Sequence, residues 1–164
     1  MPTPNKSTFW GLITMTSTLE AMHADRPVSG HSAEWHFFRS YVGTAFWATN
    51  ANPDDWEPLD ANFDISDLAP ATIESMLADC ARFYDANKEY IHCDDAPLAR
   101  DFEGSIAARE AAMAGHDFWL TRCGHGAGFW DGDRPEPVKA KLDAASCEFG
   151  YVDLYVGDDG QIHA

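Results

Sequence analysis

Apolar positions between Ile73 and Ile91 recur at helical spacing. Ile73, Met76, Leu77, Cys80, Phe83, Tyr84 and Ile91 form one stripe, while Glu74, Asp79, Asp85 and Glu89 fall on other faces. This predicts a helix from Pro70, a residue tolerated in a first turn, to about Tyr90. A second helix is expected from about Pro97 to Ala114, marked by Leu98, Phe102, Ile106 and Met113 and stopped by Gly115. Upstream, Ser32 is placed to cap a helix carrying Trp35, Phe38 and Val42 on one face, with residues 45–49 either finishing it, the favoured reading, or forming a strand. Residues 117–122 instead alternate: Phe118 and Leu120 point one way, Asp117, Trp119 and Thr121 the other. With Cys123-Gly124-His125-Gly126 as the turn and Ala127–Asp131 returning, this segment predicts a β-hairpin.

Asp133-Arg134-Pro135 then opens a helix with Val138, Leu142, Ala145 and Phe149 on its apolar side, ending at Gly150. Tyr151–Val156 reads as a strand, Gly157–Gly160 as a turn and Gln161–His163 as a short return strand. The expected architecture is a single α+β domain over residues 1–164, with a small antiparallel C-terminal sheet of ββαβ order packed with three to four helices. Before Ser32 the pattern is weaker. Residues 1–8 read as a lead-in, Phe9–Met15 as a strand, Thr18–Met22 as a short helix and 24–32 as loop.

Charge changes the picture most. The 164 residues carry 27 acidic and 11 basic side chains, a net charge of −16. Such a surface repels phosphates and anionic membranes, so neither direct nucleic-acid binding nor membrane association is expected. A basic protein surface is the partner it favours. The asymmetry is local as well: between Arg39 and Arg82 there is no basic residue and there are eight acidic ones. Asp54, Asp55, Glu57, Asp60, Asp64 and Asp67 crowd the stretch before the long helix, and they are the expected partner-binding residues. The four cysteines, Cys80, Cys93, Cys123 and Cys147, form no Cys-x-x-Cys, which points to free thiols and a reducing cytoplasm. The short apolar run Phe9–Met15 does not read as a secretory leader. The six tryptophans call for indole N–H partners wherever they are buried.

Four segments carry a resemblance: Leu59–Pro70 (LDANFDISDLAP), Ala78–Ala81 (ADCA), Ala114–Asp131 (AGHDFWLTRCGHGAGFWD) and Val152–Ile162 (VDLYVGDDGQI). Over residues 41–163 the chain is similar to a family of small acidic proteins encoded by tailed bacteriophages and prophages. The first forty residues lie outside that resemblance. What it implies is a phage accessory protein in the host bacterial cytoplasm, with no particular reaction and no cofactor.

Asp60-x-Asn62-x-Asp64 has the first three positions of a calcium loop, but Ile65 stands where glycine is required and Ala71 where glutamate closes the site. A metal is therefore not expected. Cys123 with His116 or His125 is the minimal pair for nucleophilic catalysis, and these three are the candidate catalytic residues. Trp119 and Trp130 could form an aromatic platform if they share a face, although a core role suits them better. The leading expectation is a protein that binds and inhibits a host DNA-targeting defence system, a CRISPR effector or restriction enzyme, by partial DNA mimicry. The alternatives are a small enzyme or ligand-binding protein with its site on His116–Asp131, and a structural or oligomerisation module.

Overall fold

The computed structural model describes residues 31–52, 54–100 and 102–164. The strand, short helix and lead-in expected before His31 lie outside the described residues. In chain order the elements are α1 (Ala33–Ala48), β1 (Asn50–Asn52), β2 (Asp55–Pro58), α2 (Pro70–Ile91), α3 (Ile106–Arg122), α4 (Glu136–Cys147), β3 (Tyr155–Val156) and β4 (Ile162–His163). Three short 3-10 turns, Leu59–Ala61, Ile65–Asp67 and Phe129–Asp131, join them. The α+β class stands, built from four helices and two separate two-stranded antiparallel sheets among the described residues. The ββαβ order does not, because the expected hairpin is a helix.

That correction has a clear cause. Residues 117–122 complete α3, which Ser105 caps by accepting from the Ala108 N–H at 3.1 Å. The alanine-rich start, Ala107 to Ala114, favours helix strongly. From Asp117 to Arg122 every residue is buried, so the apolar stripe that marks a surface helix is missing. The expected start at Pro97 was also wrong: residues 96–100 and 102–105 are irregular, and the helix begins at Ile106.

Gly115, expected to end a helix, sits inside α3 at its closest approach to α1. A Cβ there would collide with the backbone carbonyl of Phe37. The Gly124 turn is genuine but of another kind. Gly124, at φ +68°, bonds back to the Thr121 carbonyl, and the His125 N–H reaches Leu120 O at 3.0 Å, which is the Schellman end of a helix.

One cluster of buried residues unites the helices. Phe83 of α2 stacks on Phe118 of α3 with centroids 4.0 Å apart, and Phe37 and Tyr41 of α1 close against Phe118. Arg122 ties the elements together. Its guanidinium donates to Tyr41 Oη (2.8 Å), Asp79 Oδ2 (2.9 Å), Phe149 O and Gly150 O (both 3.0 Å).

The strand expected over Tyr151–Val156 shortens to Tyr155–Val156, which pairs with Ile162–His163 through the turn at Gly157–Gly160. This small sheet docks on the start of α2, where Ala69 N donates to Ile162 O at 2.9 Å. No helix among the described residues is long and apolar enough to cross a membrane.

Candidate functional site

The acidic stretch is more ordered than a linker. The chain leaves α1 at Thr49, runs out through β1, returns through β2 and re-enters the core at Leu59, which is fully buried. The Leu59 N–H bonds to Thr49 O at 2.8 Å and closes the base. An isolated two-stranded ribbon is marginal on its own, so these anchors matter to its persistence. At the tip, Asp54 N donates to Asn52 Oδ1 (3.1 Å), and the Asn52 amide donates to Asp55 Oδ2 (3.3 Å).

Alternation along β2 sends Asp55 and Glu57 to one side and Trp56 to the other. Trp56 is 94% exposed. Asp54, Asp55, Glu57 and Asp60 are exposed, and none of the four forms an ion pair among the described residues. The two other expected partner-binding residues have local duties. The Asp64 carboxylate accepts from Ser66 N (2.7 Å) and the Asp67 carboxylate from Asp64 N (2.8 Å), a reciprocal cap on the 3-10 turn before α2. These bonds engage Asp64 in the structure of its own loop. Among the described residues no group of three or more His, Cys, Asp or Glu side chains is placed to hold a metal ion.

Of the candidate catalytic residues, His116 separates from Cys123 and His125. His116 lies within α3, and seven residues of helix carry the chain about 10 Å further before Cys123. His116 opens on one cleft, whereas Cys123 and His125 line another beside Trp119, Tyr151 and Tyr155. The Cys123 thiol donates to Val152 O (3.7 Å), and burial pushes its pKa up, away from the thiolate a nucleophile needs. A Cys123–His116 pair is therefore not assembled. Nor do Trp119 and Trp130 form a platform: Trp119 is buried in α3 and Trp130 is exposed in the following 3-10 turn. The indole N–H groups of Trp35 and Trp119 are buried without an acceptor among the described residues, contrary to expectation.

What His116 does possess is an oriented partner. Its Nδ1 lies 3.1 Å from Asp117 Oδ1, and Arg134 Nη1 donates to the other Asp117 oxygen at 3.4 Å. Asp117 and Arg134 are both buried. Burial draws the Arg134 pKa down, and the Asp117 carboxylate pushes it back up. In the His116 tautomer whose Nδ1–H donates to Asp117, Nε2 is left as an acceptor. Trp47, half-exposed, stacks over the His116 ring with centroids 6.1 Å apart.

A second relay joins α2 to α3. Tyr84 Oη lies 2.7 Å from His92 Nε2, and His92 Nδ1 lies 2.7 Å from Glu110 Oε2. Burial drives the Tyr84 phenol pKa well up, so it stays protonated. Sequence reasoning missed Trp47, Glu110 and Arg134. Arg134 had one available signal: a basic residue in a chain this acidic, in a segment that reads as a helix start. No protein-family model, curated protein or solved structure matches the chain.

Proposed function

We propose that this chain is a non-enzymatic, phage-encoded binding protein that presents the β1–β2 ribbon to a basic surface of a host protein. The sharper reading is an inhibitor of a host DNA-targeting defence enzyme, with its carboxylates standing where the phosphates of DNA would lie. One observation carries the proposal: Trp56 is almost wholly exposed, flanked in the chain by two exposed carboxylates, on a ribbon whose base is closed against the core by Leu59 and Thr49. A large exposed aromatic ring is a poor choice for a merely solubilising loop, and tryptophan is prominent among residues that dominate binding energy. Carboxylates without ion pairs supply the long-range attraction that speeds association with a basic groove. The sequence resemblance to phage proteins agrees with such a role.

The test is quantitative capture from host lysate at low and high salt. The wild-type chain is expected to retain a basic protein at low salt and release it at high salt. Asp54→Asn, Asp55→Asn, Glu57→Gln and Asp60→Asn together, and separately Trp56→Ala, are expected to weaken capture at least about tenfold, the loss of one strong hot spot. All five side chains are exposed, so folding is left intact. Equal capture by the neutralised variant would remove the ribbon from the account.

A further inference from the structure

Gly43 lies in the interior of α1, where glycine weakens a helix, yet a Cβ built there meets no atom within 4 Å. Gly115 is required by its neighbour; nothing among the described residues requires Gly43. With Arg39 it lines both of two adjoining depressions. The larger is a cleft of about 710 Å³, walled by Trp47 and Phe102 and edged by Arg39, Glu103 and His116. Its volume falls within the range of small-molecule sites, about 300–1,000 Å³. A bare stretch of helix backbone at the floor of such a cleft lets a flat molecule approach more closely than any other residue would allow.

We propose that this cleft binds a purine nucleoside 5′-monophosphate, with the base laid over Gly43 against Trp47. The lining residues divide the ligand among them. The half-exposed Trp47 face suits base stacking, and Phe102, steadied edge-on against the buried His36 ring (5.1 Å), closes the other wall. With Nδ1–H donating to Asp117, His116 Nε2 is the acceptor that takes an exocyclic N–H of the base. Glu103, exposed at the rim, only accepts hydrogen bonds when ionised, which matches the paired hydroxyls of a ribose. Arg39 is exposed and forms no ion pair among the described residues, and it takes the phosphate. At Arg39 and Gly43 the cleft adjoins the depression lined by Asp60 and Asp64, but it uses no residue of β1 or β2 and stands whether or not the ribbon binds a partner.

Calorimetric titration of the full chain with AMP and with adenosine tests it. AMP is expected to bind with a Kd below about 1 mM, several-fold tighter than adenosine. Gly43→Ala should raise the melting temperature by about 2–4 °C while weakening AMP at least tenfold, since the methyl stabilises the helix and fills the floor. Trp47→Ala should cause a similar loss. Arg39→Gln should invert the preference, leaving AMP weaker than adenosine, because the net charge of −16 then acts on the phosphate unopposed. Absence of AMP binding at 10 mM, or binding that Gly43→Ala and Trp47→Ala leave unchanged, overturns the proposal.

Discussion

Replacing Gly115 by alanine is expected to destabilise the fold by about 3 kcal/mol, toward the upper end for overpacking. At this chain length that corresponds to a melting temperature lower by about 6–12 °C. The added methyl would overlap the carbonyl, carbon and Cα of Phe37, which are backbone atoms with no rotamer to adopt. Relief requires α1 and α3 to separate, which would open the Phe37, Tyr41 and Phe118 contacts behind them. Alanine's better helix propensity, about 1 kcal/mol over glycine, opposes the effect without cancelling it. The same substitution at Gly43 should have the opposite sign. A thermal melt of both variants therefore tests whether Gly115 sits against the Phe37 backbone while Gly43 faces open space. An unchanged melt for Gly115→Ala would mean the helices are further apart than described.

Replacing Asp117 by asparagine should be at least as damaging. Arg134 is buried and its guanidinium finds a single acceptor, Asp117 Oδ2; its Nε and Nη2 have none among the described residues. Neutralising that carboxylate leaves a buried charge uncompensated, a change that typically costs about 3–5 kcal/mol. Urea denaturation should show a lower midpoint with an unchanged slope. If the pair acts as a unit, adding Arg134→Met to Asp117→Leu should recover most of the loss, since an apolar pair of similar size needs no compensation. Additive damage in the double variant would show that Arg134 has another role.

Legibility in the sequence followed exposure. The long helix α2 was readable to within a residue because one face meets solvent and the other the core, which leaves a 3.6-residue stripe. Ser32 was readable as a cap because its Oγ has a local task, accepting from Trp35 N at 3.3 Å. The first half of α3 was readable as helix to Ala114; its end was not, because burial of every residue from Asp117 to Arg122 erases the stripe and leaves the accidental alternation of Phe118 and Leu120 to suggest a strand. Gly124 marked a turn correctly, but a hairpin and a Schellman end both require positive φ, and the sequence does not distinguish them. The β1–β2 ribbon escaped notice because it has little apolar pattern of its own and is fixed by Thr49 and Leu59 at its base.

The candidate sites divide in the same way. The acidic stretch could be found by charge alone. The adjacency of His116 and Asp117 was visible in the chain, but Trp47 and Arg134 reach that dyad from distant segments, and only the packing of α1 and of the α4 entrance against α3 brings them there. The Cys123–His116 pairing failed for the converse reason. Closeness in sequence on a helix placed the thiol about two turns from His116, in a different pocket.

The claim at the centre of this account is that the acidic ribbon occupies a surface the partner otherwise uses for DNA. It is tested most directly by immobilising the chain with its captured host protein and adding duplex DNA at constant ionic strength. Displacement of the partner by DNA, with a midpoint that shifts to lower DNA concentration for Trp56→Ala, is the predicted result. A stable ternary complex, holding partner and DNA together on the immobilised chain, would contradict it.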